Sequence, residues 1–160
     1  MPSFVQSREV PLAAQSLHES LGDVLESIAT RSQADAIVLS ALVGKGTGRV
    51  SVPVELSVTK RSAKDSSIAV TIKARSAKAF FPRFKGAFYA LPMAPARTNL
   101  RLKGTYTVPL GPLGSTINAA GMHKMAEDSL RDLFERVADE TIAAIRKESD
   151  RRYRQARTSS

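Results

Sequence analysis

Two hydrophobic periods divide this chain. Ser3 to Val10 is a short candidate strand that Pro11 stops. Ala14, Leu17, Leu21, Val24, Leu25 and Ile28 then recur at helical spacing, with Glu19, Asp23 and Glu26 on the opposite side. Pro11 suits the first turn of that helix. Gly22, about 1 kcal/mol worse than alanine inside a helix, is a candidate break into two shorter helices.

The period then changes to two. Ala36–Val43 is apolar throughout, as in a strand buried on both faces. Val50, Val52, Val54, Leu56 and Val58 alternate with Ser51, Pro53, Glu55, Ser57 and Thr59. Ile68, Val70 and Ile72 alternate with Thr71, Lys73 and Arg75, Phe84 and Phe88 with Lys85 and Tyr89, and Leu100, Leu102 and Tyr106 with Arg101, Lys103 and Thr105. One apolar face per strand means a sheet with one buried and one wet side. The connections Gly44–Gly48, Arg61–Ser66 and Pro92–Ala96 are short and turn-like, so they predict antiparallel hairpins. Pro53 suggests an edge position or a bulge.

The helical period returns after Pro109-Leu-Gly-Pro-Leu-Gly114. Ser115 is a plausible N-cap, and Gly121 a candidate kink in the first turns. Ala126, Leu130, Leu133, Phe134, Val137, Ala138, Thr141 and Ile145 share one face of a helix of about thirty residues. Beyond Ile145 the apolar pattern stops, and residues 149–160 read as a basic, disordered tail after a single domain of residues 1–148. The order is strand, helix, five strands, long helix. That order predicts an α+β fold, in which a curved antiparallel sheet of about six strands grips the C-terminal helix.

Composition narrows the function classes. The chain has 160 residues, no cysteine and 24% charged residues, which excludes disulfides, thiolate metal sites and thiol nucleophiles. Neither a signal sequence nor an apolar run of membrane-spanning length is visible, so a cytoplasmic protein is expected. The net charge of +9 is uneven: Lys45–Lys103 carries +11, the segments on either side −3 each, and residues 146–160 carry +4.

Three segments carry a resemblance: Phe81-Pro-Arg-Phe-Lys-Gly86, Leu100-x-Leu-x-Gly-x-Tyr106 and Pro109-Leu-Gly-x-Leu-Gly114. With the order of elements, they make the chain resemble the START-like superfamily, also called SRPBCC. This is the helix-grip fold of lipid-transfer domains, pollen allergens and polyketide cyclases, and the likeness is to its small bacterial members. The resemblance implies an apolar cavity between sheet and C-terminal helix, and an apolar small molecule or lipid as ligand. Residues expected to face that cavity are Val52, Val54, Val70, Ile72, Phe88 and Leu102 from the sheet. Tyr106, Met122, His123, Met125 and Ala126 follow at the start of the helix and the strand before it. The competing reading is that they simply fill the core. The first helical region lacks a tryptophan and a short broken helix pair, in which it departs from many relatives.

Within that frame Tyr106 stands out, because a buried phenol needs a hydrogen-bond partner, either a ligand carbonyl or the backbone. His123 near the cavity would serve as a polar anchor or an acid–base group, against the reading of a surface or capped histidine. His123 and Glu127 are spaced as an ordinary helix-surface pair, so no metal site and no cofactor are expected. Gly44-Lys-Gly-Thr-Gly48 joins two strands and does not enter a helix, so it reads as a hairpin tip and not as a phosphate loop. Phe80-Phe-Pro-Arg-Phe84 reads as a packing corner or as a lip flanked by Lys78, Arg83 and Lys85. No nucleophile–base pair or paired carboxylates stand out, so no catalytic residue is assigned and a non-catalytic carrier is favoured. Lys73, Arg75, Lys85, Arg101 and Lys103 would face outward together, where an RNA, a ribosome or an acidic protein would relieve their repulsion. Two alternatives to the carrier therefore stay open: binding through this basic face, and a cyclase- or aromatase-like enzyme that uses Tyr106 and His123.

Overall fold

Alternation of apolar and polar side chains produces six strands: β1 (Ser3–Val10), β2 (Ile37–Leu42), β3 (Arg49–Ser62), β4 (Ser67–Ala74), β5 (Arg83–Ala94) and β6 (Arg97–Thr107). Two helical periods produce α1 (Ala14–Ala34) and α2 (Ala119–Thr158). The computed structural model describes residues 2–35, 37–42, 49–74, 83–107 and 119–158. The Gly44–Gly48 turn, Arg75, Phe80 to Pro82 and the Ser115 cap fall outside the described residues.

All neighbouring strands are antiparallel, in the order β1-β6-β5-β4-β3-β2. β2 to β6 form a meander, and β1 closes on β6 through pairs such as Phe4 with Gly104 and Val10 with Thr98. The period of two sorts the faces as expected. Ile68, Val70 and Ile72, Phe84 and Phe88, and Leu100, Leu102 and Tyr106 are all buried, while Lys73, Lys85 and Lys103 are exposed. β2 departs from the expectation of two buried faces: Leu39 is buried but Val38 is 45% exposed. An edge strand has a wet side, which an uninterrupted apolar run does not reveal. Pro53 is also corrected. It lies in β3, second from the edge, opposite Val38, and the irregularity in β3 comes later, between Val58 and Lys60.

A glycine pair seats a ring on the sheet. Gly86 and Gly104 are partners on β5 and β6, and a Cβ on either would meet a backbone carbonyl oxygen at 2.4–2.5 Å and the Phe84 ring at 2.6–2.7 Å. The missing side chains let the strands approach and give the Phe84 ring its seat. Phe4 closes on that ring edge-on, with centroids 6.4 Å apart.

α1 runs unbroken for 21 residues, against the expected break at Gly22. The glycine instead makes room for Arg61 from β3, whose Cζ would lie 2.2 Å from a Cβ at that position. Arg61 donates to the Glu19 carbonyl at 3.0 Å and pairs with Asp23 and Glu26 at 3.5 and 3.7 Å. Pro11 is not in the first turn either. The helix starts at Ala14 with no side-chain cap, and the Thr98 hydroxyl holds the preceding bend through the Leu12 carbonyl at 2.6 Å. At the other end the buried Ser32 hydroxyl accepts from the Leu56 N–H at 3.0 Å and lies 2.8 Å from the Ala29 carbonyl, tying α1 to β3.

α2 lies across the apolar face of the sheet. Its buried residues include Ala126, Leu130, Leu133, Phe134, Val137, Ala138 and Thr141, and Phe134 stacks on Phe88 of β5 with ring centroids 6.4 Å apart. Arg8 of β1 fixes one flank through Glu135 at 3.0 Å and Asp139 at 2.8 Å. The helix runs on to Thr158, through most of the residues read from the sequence as a tail. Arginine is a good helix former, and an ion pair one turn apart, Glu148 with Arg152 at 2.9 Å, supports the added turns. Six antiparallel strands holding one long helix, with a second helix between the first two strands, make the α+β helix-grip architecture.

Candidate functional site

β6 ends and α2 begins at the same end of the sheet, which puts Tyr106 next to the second turn of α2. Alternation along β6 turns Tyr106 inward, where it is 1% exposed. Its hydroxyl lies 3.1 Å from Nδ1 of His123 and 3.3 Å from Oε1 of Glu127. His123 and Glu127 are four residues apart and therefore share a helix face. The His123 ring meets the phenol edge-on, with centroids 5.8 Å apart.

The phenol has one proton and two polar neighbours. A carboxylate only accepts, so the hydroxyl donates to Glu127, and His123 approaches the phenol oxygen with its Nδ1–H as donor. Burial comes first among the forces on the phenol, followed by the Glu127 charge and the hydrogen bond to it. Together they raise the Tyr106 pKa above the ordinary tyrosine value. Tyr106 is therefore a neutral donor at physiological pH and not a base. His123 is half-buried, so the cluster connects the interior with the outer surface.

Most of the other expected ligand residues lie inside. Val54, Val70, Ile72, Phe88, Leu102 and Ala126 are at most 1% exposed and Met125 is 6% exposed. The side chains of Val52 and Met122 lie outside what the structure describes. The six fully closed residues belong to one continuous core with Phe84, Phe134 and Leu130. Two cavities formed by described residues lie elsewhere. One, of about 430 Å³, runs between α1 and α2 past Asp23, Val24, Glu140 and Ala144, and another lies by His18 and Arg61.

The outward basic residues are spaced, not stacked. Lys85 stands opposite Thr71 and Thr105, Lys103 opposite Ala87 and Val5, Arg101 opposite Tyr89 and Ser7, and Lys73 opposite Glu55. The expected repulsion across neighbouring strands is relieved by these neutral and acidic partners, so it does not by itself demand a polyanion. Sequence reasoning paired His123 with Glu127 but left the partner of Tyr106 to a ligand or the backbone. The i, i+4 spacing was the available signal for the cluster; the approach of β6 to that helix turn was not in it.

The order of strands and the helix they hold define a helix-grip fold. No family model and no curated protein matches the chain. Solved structures of similar course include a protein of Thermus thermophilus, at 17% identity and TM-score 0.47, covering 87% of this chain and 99% of that one. The Zhui aromatase/cyclase of a Streptomyces species is similar at 17% identity and TM-score 0.46, covering 97% of both chains. Norcoclaurine synthase of Thalictrum flavum is similar at 10% identity and TM-score 0.47, covering 84% of this chain and 87% of that one. These likenesses carry no site residue to this chain. No helix among the described residues is long and apolar enough to cross a membrane.

Proposed function

We propose that this protein binds a small molecule with an apolar body and a hydrogen-bonding head, held between the sheet and α2. One observation carries the reading: a phenol hydroxyl at the edge of a largely apolar interior, shared by His123 and Glu127. A neutral donor beside a half-buried imidazole suits a carbonyl or phenol head group, which the phenol or the imidazole would meet in place of its present partner. Phe88, Leu102, Ile72 and Ala126 would contact the apolar body. The first turns of α2 must shift for a ligand to enter, because these side chains are closed to water.

The same cluster favours a second reading, a cyclase-like enzyme in which Tyr106 donates a proton and His123 exchanges one. That reading needs the two groups in contact, as they are, and needs turnover as well as binding.

The test is organic extraction of freshly purified protein, followed by mass spectrometry. A discrete apolar compound is expected at near-stoichiometric amounts. Its retention should fall about three- to tenfold in Tyr106→Phe, the worth of one hydrogen bond. Protein that purifies empty, and whose melting temperature neither long-chain fatty acids nor aromatic ketones raise, would rule the reading out.

A further inference from the structure

Beyond Ile145 the last thirteen residues of α2 are all exposed. They carry six basic side chains against Glu148 and Asp150, close to half of the chain's net charge of +9. Their arrangement follows from the helix pitch. At about 100° per residue, Arg146, Lys147, Arg151, Arg154 and Arg157 fall within one sector, with Asp150 as the one acid among them. That sector lies on the opposite side from the face that Phe134, Ala138, Thr141 and Ile145 turn toward the sheet and α1. Arg152 lies on the other face, paired with Glu148. The stripe therefore faces away from the sheet, and only Lys147 among its cations also lines the groove between α1 and α2.

We propose that this end of α2 is a docking arm for duplex DNA, read through its phosphates and not its bases. Five cations over a rise of about 16 Å form a linear array, and a polyanion of matching linear charge is the partner that neutralises it. The five side chains spread over about two fifths of the helix circumference, so both flanks carry positive charge. A helix lying in a B-form major groove meets phosphates on both walls in this way. An anionic membrane fits less well. Tyr153 and Ala156 are the only apolar side chains past Ile145, and a surface-lying helix needs an apolar face. The major groove of duplex RNA is too narrow for a helix. Arg146, Arg157 and Arg151 lie toward the edges of the stripe, where they face the phosphates of the groove walls, and phosphate contacts carry no sequence information, which makes the binding largely indifferent to sequence. This arm is separate from the proposed ligand site, and either can fail alone.

The test uses the full chain and a fluorescent duplex DNA of arbitrary sequence. Affinity should fall with salt, with a log–log slope of about −4.5, from roughly five phosphate contacts. Arg151→Gln with Arg154→Gln should weaken binding at least tenfold and reduce the slope by about 2, with the helical circular dichroism unchanged. Lys73→Gln with Lys103→Gln, on the sheet, should leave binding as it was. The proposal is overturned if the sheet pair carries the loss, if the helix pair has no effect, or if phosphatidylserine vesicles or duplex RNA bind as tightly as DNA.

Discussion

The two parts of α2 share one backbone conformation and have different reasons for it. From Ala126 to Ile145 the helix presents an apolar face every three or four residues to the sheet and α1. From Arg146 to Thr158 every residue is exposed and most are charged or polar. Burial holds the first part, and propensity with local ion pairs holds the second. The first part is therefore sensitive to the loss of a methylene, whereas the second tolerates changes that preserve helix formers. It also follows that the first part determines stability, while the second is free to be shaped by an external partner.

The sharpest way to break the contrast is Phe134→Ala. The side chain is fully buried and stacked on Phe88, and its removal leaves a cavity between α2 and β5. A cost of about 3–5 kcal/mol is expected, read from urea unfolding. A change below about 1 kcal/mol would mean that the gripped part is loosely packed and that the distinction between the two parts is false.

Tyr106→Phe tests the polar end of the gripped part, with a smaller effect and a pH signature. Loss of the hydroxyl removes its hydrogen bonds to His123 and Glu127 and should cost about 1 kcal/mol at neutral pH. In the native protein Tyr106 holds its proton more tightly than in the unfolded chain. Its contribution is complete below the unfolded value, about pH 10, where both states are protonated. Above that value the unfolded chain releases the proton first, so stability declines as pH rises through the native value. Melting curves from neutral pH to above pH 10 should show this decline in the wild type and a flatter alkaline limb in Tyr106→Phe. Parallel limbs would show that the phenol is not held as described.

What the sequence makes legible follows the same divide. Alternation identified the inward residues of β4, β5 and β6 because burial on one face leaves a period in the chain. The apolar stripe of α2 was readable to Ile145 for the same reason. Where burial does not operate, the pattern is silent. The turns from Arg146 to Thr158 looked like a tail because nothing packs on them, although their arginines and the Glu148–Arg152 pair are compatible with a helix. Gly22 looked like a break because its use depends on Arg61, some forty residues away. Tyr106 was recognised as a buried phenol, but its partners follow from where β6 meets α2, and local spacing does not encode that distance. Ser32 and its link to Leu56 gave no signal, since a lone serine near a helix end is ordinary.

The smallest effect should come from cutting the chain after Asp150, which removes residues 151–160. No buried side chain is lost, and the Glu148–Arg152 pair is worth a few tenths of a kcal/mol. Ser16, Glu19 and Ser20 of α1 share a small groove with Arg152, so the cut opens that groove without uncovering the core. Folding stability should stay within about 0.5 kcal/mol of the intact chain, while helical circular dichroism drops by the removed turns alone. If the shortened protein melts several degrees lower, then the end of α2 supports the body, and its charges answer to folding before any partner.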